Sequence, residues 1–195
     1  KSKVKSLDYV FYTHQHADQT HGINDLRYFY LKQRKAIPVF ANTTTSNYLL
    51  NSFKYCFIKT SKFYPPIMRL KKLKKKHTFL RNKIRITSFE VTHGSINSIC
   101  YIINNKLAYV SDVSFINQKN YPNISKLKYF VVDCLREEPH PSHYNLDKIL
   151  KLISEIKPKY TILTNLHSSL DYEKLKKKLP KFVYPAYDGM KLIIN

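Results

Sequence analysis

The segment Thr13 to Gly22, THQHADQTHG, holds three of the chain's eight histidines, His14, His16 and His21, within eight positions, with Asp18 among them. It leaves a β-prone run, DYVFYT, so alternation of side-chain direction sends His14, His16 and Asp18 to one side. Imidazoles and a carboxylate converging this way form a transition-metal site, and the ligand type suits zinc or manganese, not calcium or an iron–sulfur centre. Three further islands follow in order: His93 in VTHGS, Asp112 in YVSDVS and His167 in ILTNLHSSLDY. Each lies just past a strand-like run, where a rigid scaffold can gather distant groups. Singly, such residues are ordinary turn or cap groups. As four islands in order they describe a metal centre.

The elements that would position these groups follow from hydrophobic period. Strands are expected at Asp8 to Thr13, Ile37 to Phe40, Ile84 to Val91, Tyr129 to Val132, Tyr160 to Leu163 and Lys191 to Ile194. Ile99 to Ile103 and Leu107 to Val110 flank Asn104 and Asn105, residues that tolerate the positive φ of a tight hairpin. Helices are expected at Ile23 to about Gln33, at Thr44 to Asn51, and where Leu146, Ile149, Leu150, Ile153 and Ile156 recur before Pro158. A last helix runs to Lys178, capped by Asp171. No repeat or low-complexity linker divides the chain, so residues 1–195 read as one mixed α/β domain.

Composition narrows the class. The chain has 195 residues, 43% of them hydrophobic, and a net charge of +21 from 34 Lys and Arg against 13 Asp and Glu. That apolar content supports a folded core, and no run approaches a membrane span. Cys56, Cys100 and Cys134 lack C-x-x-C spacing, so neither a disulfide framework nor a thiolate zinc site is indicated, and a reducing cytoplasm is expected. Lysines cluster at Lys71, Lys72, Lys74, Lys75 and Lys76 and at Lys174, Lys176, Lys177, Lys178 and Lys181. The lysine-rich, glycine-poor bias spans the whole chain and reads as a solvated surface, one that would still steer anionic substrates.

The islands together resemble the metallo-β-lactamase-fold hydrolases, whose T-H-x-H-x-D-H loop is followed by a histidine, an aspartate and a last histidine. Within them the phosphoribosyl 1,2-cyclic phosphate phosphodiesterase branch is similar through HADQTHGINDLR, DCLREEPHPSHYNL and TNLHSSLDYEKL…AYDGM. The resemblance covers nearly the whole chain. It implies an αββα sandwich and a two-metal hydrolytic site that activates a water. His14, His16 and His93 resemble the ligands of the first ion, Asp18 and His167 those of the second, with Asp112 between them. Gln19 stands where the signature has histidine, so the second site depends on Gln19 itself, His21 or water, or only one ion binds tightly. Asp18 and His143 are the candidate catalytic groups, with His140 an alternative to His143 for binding phosphate or protonating a leaving group.

The family carries further strands ahead of the histidine loop, whereas 13 residues beginning at Lys1 precede His14, so the expectation is a chain lacking part of its first sheet. The function implied is a cytoplasmic phosphodiesterase cleaving a small cyclic or phosphorylated ester, with no membrane partner and with a homodimer as a candidate assembly. Its rivals are a ribonuclease Z-like endonuclease, which would use the positive surface, and a basic nucleic-acid-binding protein with a vestigial metal site. No long insertion resembles a tRNA-gripping arm, and the lysine runs lack interleaved aromatics.

Overall fold

The computed structural model describes residues 4–60, 62–73, 76–81 and 83–194; Lys1 and, within the first basic run, Lys74 and Lys75 lie outside them. The chain folds as two compact units, Lys1–Lys75 and Lys76–Asn195.

The first unit is a three-stranded parallel sheet, β1 (Val10–Phe11), β2 (Ile37–Ala41) and β3 (Met68–Lys72), with β2 central. Parallel neighbours require crossover connections. The first crossover carries α1 (Ala17–Thr20), a 3-10 turn at His21–Leu26 and α2 (Arg27–Gln33); the second carries α3 (Thr43–Ser52) and α4 (Lys54–Phe57). The helix expected from Ile23 therefore begins as 3-10 and becomes α only at Arg27. Asn42 caps α3, its side-chain oxygen accepting the Thr45 N–H at 2.9 Å. Tyr12, Ile23, Val39, Ala41, Leu49, Cys56, Ile67 and Met68 form the core of this unit.

The second unit is a seven-stranded mixed sheet. Its strands are β4 (Lys76–Arg81), β5 (Ile84–His93), β6 (Ile96–Ile103), β7 (Leu107–Val110), β8 (Tyr129–Asp133), β9 (Tyr160–Thr164) and β10 (Val183–Pro185), paired in chain order. Pairing is antiparallel from β4 to β7 and parallel from β7 to β10. Asn104 and Asn105, both at positive φ, turn β6 into β7 as expected. The helices are α5 (Tyr121–Ile124), α6 (Leu146–Ile156) and α7 (Tyr172–Lys178). Leu146, Ile149, Leu152, Ile153 and Ile156 form the buried stripe of α6, packed with Val110, Phe130, Val132 and Leu163. Asp171 caps α7 by accepting the Lys174 N–H at 2.8 Å, and Leu175 faces the core while Lys174, Lys176, Lys177 and Lys178 are exposed.

Mixed α/β architecture is thus observed. Lys191–Ile194, expected as a strand, pairs with no strand among the described residues; the outer strand on this side is Val183–Pro185, which pairs with Thr161–Leu163 of β9. Among the described residues, no helix is long and apolar enough to cross a membrane. Strand direction is the functional consequence. β5, β7, β8, β9 and β10 all run the same way, so His93, Asp112, Asp133, His167 and Ala186–Met190 lie along the edge formed by the carboxyl ends of these strands.

Ile149 is fully buried in the α6 interface. Ile149→Ala is expected to cost about 2–5 kcal/mol, read as a lowered urea midpoint with unchanged slope.

Candidate metal centre

His93 ends β5, and Gly94 follows at φ +59° to start the return into β6. The glycine is needed twice over. Beyond its backbone angle, a Cβ at Gly94 would stand 2.8 Å from the Ser142 Cβ. That close approach brings the Ser142 carbonyl to 2.6 Å from His93 Nδ1. A carbonyl can only accept, so Nδ1 carries the proton and the lone pair of this buried imidazole sits on Nε2. Metal-binding histidines are commonly braced in this way.

Asp112 follows β7 and is 3% exposed. Its Oδ1 lies 4.0 Å from His143 Nδ1, while Oδ2 is buried with no hydrogen-bond partner among the described residues. A carboxylate oxygen left so is costly unless a cation meets it. His93, Asp112 and His143 each offer a ligand atom within 4.8 Å of the others, and the His93 and His143 rings meet edge to face at 4.7 Å. His93 and Asp112 are donor types that fit a divalent transition metal, and His143 stands close enough to act beside one.

Behind His143 stands Asp133, the last residue of β8, which sequence reasoning missed. Its Oδ2 accepts from His143 Nδ1 at 2.6 Å and from the Val113 N–H at 3.1 Å. Burial pushes the Asp133 carboxyl up to about 6, against the opposing pull of the His143 hydrogen bond. The signal was available: Val110-Ser111-Asp112 and Val132-Asp133 both place an aspartate where a buried strand ends.

Residues 136–145 form a closed loop. Leu146 N–H donates to the Arg136 carbonyl, the Arg136 guanidinium donates to the Pro139 carbonyl at 2.8 Å, and Asn145 Nδ2 donates to the Glu137 carbonyl at 2.8 Å. His140 at its crest has its ring 5.1 Å from that of His143. Burial first, then the charges of His143, Arg136 and His93, hold the His140 pKa below the ordinary imidazole value. His167 is exposed and outside the His93–Asp112–His143 grouping; its Nδ1 accepts the Ser169 N–H at 3.2 Å.

In the first unit, His14 is buried, its Nδ1 3.1 Å from Thr13 Oγ1, and its ring meets that of exposed His16 edge to face at 4.6 Å. Gln19 Nε2 donates to Asp18 Oδ2 at 2.8 Å, so the glutamine braces the aspartate. Partial burial pushes the Asp18 carboxyl up, but the Gln19 bond, its own backbone and nearby His14 and His16 outweigh this and hold it below the usual carboxylate value. His21 Nε2 is engaged with Tyr48 Oη at 3.1 Å.

A family profile described as the beta-lactamase superfamily domain matches residues 1–165. The chain belongs to this family and has the metallo-β-lactamase fold of its hydrolases. A diphosphatase from the PhnP family superposes with a TM-score of 0.87 at 27% identity, covering 97% of this chain and 71% of its own. Zinc-bound PqqB from Methylobacterium extorquens superposes with a TM-score of 0.76 at 13% identity, over 95% of this chain and 73% of its own. An octanoyltransferase of Porphyromonas gingivalis (strain ATCC BAA-308 / W83) is 25% identical over 195 residues, 98% of this chain. The chain spans 39% of that relative's length.

Gly94→Ala must push Ser142 away and break the His93 contact. The expected result is a loss of about 1–3 kcal/mol in urea unfolding together with a lower zinc or manganese content after dialysis.

Proposed function

We propose that this chain is a metal-dependent phosphodiesterase acting on a small phosphate ester, with residues 1–195 working as one hydrolase domain. The observation that carries the reading is Asp112, whose buried Oδ2 has no hydrogen-bond partner among the described residues and whose carboxylate lies within 4.8 Å of the His93 and His143 ring nitrogens. The order of motifs supplies the rest of the ligand set: His14, His16 and His93 for one divalent ion, Asp18 and His167 for a second, and Asp112 shared. Gln19 enters as the brace of Asp18. Bound there, divalent ions would supply an acidified water and positive charge against the phosphoryl oxygens.

The chain's own residues then have separate tasks. Asp133 holds His143 through Nδ1, so Nε2 is the atom that takes a proton or, once protonated, gives one to the departing oxygen. The carboxylate behind the ring stabilises the imidazolium that forms. A cleft of about 390 Å³ lined by Thr164, Asn165, Tyr187, Asp188, Gly189 and Met190 opens beside this edge. Asn165 Nδ2 ties it to the Ser111 carbonyl, next to Asp112, at 3.0 Å. That volume suits a small molecule. The 27% identity to a PhnP-family diphosphatase supports phosphate-ester chemistry.

Two rival readings have less support. Human tRNase Z, short form, superposes with a TM-score of 0.68 at 13% identity, a likeness of fold alone. The basic run at Lys174–Lys178 is the solvent face of a seven-residue helix and not an arm. Acyl transfer through a thiol, which the octanoyltransferase name raises for that longer protein, meets three buried cysteines whose thiols burial pushes up, Cys134 to about 12.

Asp112→Asn and His16→Ala are expected to lose metal and turnover of bis(4-nitrophenyl) phosphate together. His143→Ala is expected to keep its metal and lose about 10²- to 10⁴-fold in kcat. Wild-type protein that binds no zinc, manganese or iron and gains no phosphodiesterase activity from them overturns the reading.

A further inference from the structure

Three neighbouring imidazoles, those of His93, His140 and His143, fall into two kinds, separated by what touches Nδ1. His93 and His143 are held at Nδ1 by groups that accept, the Ser142 carbonyl and the Asp133 carboxylate. His140 is held at Nδ1 by a group that can only donate, the Ser142 backbone N–H at 3.3 Å, with the Ser142 hydroxyl a further 3.1 Å contact at the same atom. In a neutral ring Nδ1 must then carry the lone pair, and the proton sits on Nε2. Nε2 is then the ring atom left to donate.

Ser142 is therefore a two-sided brace: its carbonyl fixes His93 as an Nε2 acceptor while its N–H fixes His140 as an Nε2 donor. The closed 136–145 loop holds both in place. A fixed donor beside an acceptor pair suits an anionic oxygen: it supplies a hydrogen bond without adding a charge that would compete with bound cations.

We propose that His140 is a substrate-binding residue that donates from Nε2 to a non-bridging phosphoryl oxygen, leaving proton transfer to His143. This divides a task that PHPSH in the sequence leaves open between two histidines. It rests on the phosphodiesterase reading above.

The test has two arms. In wild-type protein, ¹⁵N-resolved imidazole NMR should find His140 as the Nε2–H tautomer, its Nε2 resonance moving when inorganic phosphate is added; an Nδ1–H tautomer, or no response to phosphate, overturns the proposal. In kinetics on bis(4-nitrophenyl) phosphate, His140→Ala should raise KM by about tenfold, the worth of one such hydrogen bond. His140→Gln, which restores an N–H donor, should recover most of it. Equal losses in both variants, or a loss confined to kcat, overturn it too. Wild-type protein that shows the tautomer and the phosphate response but no phosphodiester turnover sinks the phosphodiesterase reading and leaves anion binding by His140 standing.

Discussion

The contact between His93 Nδ1 and the Ser142 carbonyl, at 2.6 Å, ties the end of β5 to the 136–145 loop. It needs a glycine at position 94, because a side chain there would displace Ser142. It needs the 136–145 loop closed, because an unpinned carbonyl would not hold a tautomer. In return it aims the His93 lone pair through Nε2 and carries His143, one residue on, to the side of Asp112 and Asp133. The stacked strands supply the edge, but this one polar contact sets which atoms of that edge can act.

The buried carboxylates show why such bracing is required. Asp112 and Asp133 are 3% and 0% exposed, on adjacent strands, each with an oxygen that finds no protein donor among the described residues. Burial pushes Asp133 up to about 6, and the Asp112 charge beside it adds to that rise. His143 relieves one of them by donating to Asp133 Oδ2. No donor among the described residues relieves Asp112 Oδ2, and a cation is the group whose arrival would turn that cost into binding energy.

Much of this edge was legible in the sequence because its groups follow strands with clear periodicity: His93 after Ile84–Val91, Asp112 after a hairpin marked by two asparagines, His167 after Tyr160–Leu163. Asp133 was passed over because a single aspartate ending a strand is also what a cap or turn looks like. Ser142 could not be found at all, since it acts through its main chain and any residue type but proline would offer the same carbonyl and N–H. Strand β3 was hidden by its composition: Met68 is buried while Lys71 and Lys72 are exposed, so the run reads as charge and not as sheet. The opposite error befell Lys191–Ile194, a β-prone run with no neighbouring strand to pair with.

Charge acts here at two ranges, and the two must not be confused. The excess of +21 is spread over a solvated surface, where screening over about 10 Å leaves a field that concentrates anions without choosing among them. Choice has to come from groups that water does not screen, and these are few: two buried acids and the imidazoles they face. A polyanion gripped by many lysines would gain affinity from the surface but nothing from a cleft of about 390 Å³. A small anion can gain from both, from a diffuse field and from hydrogen bonds whose direction is fixed in advance. The same lysine excess that suggests nucleic acid is thus compatible with a small substrate as well.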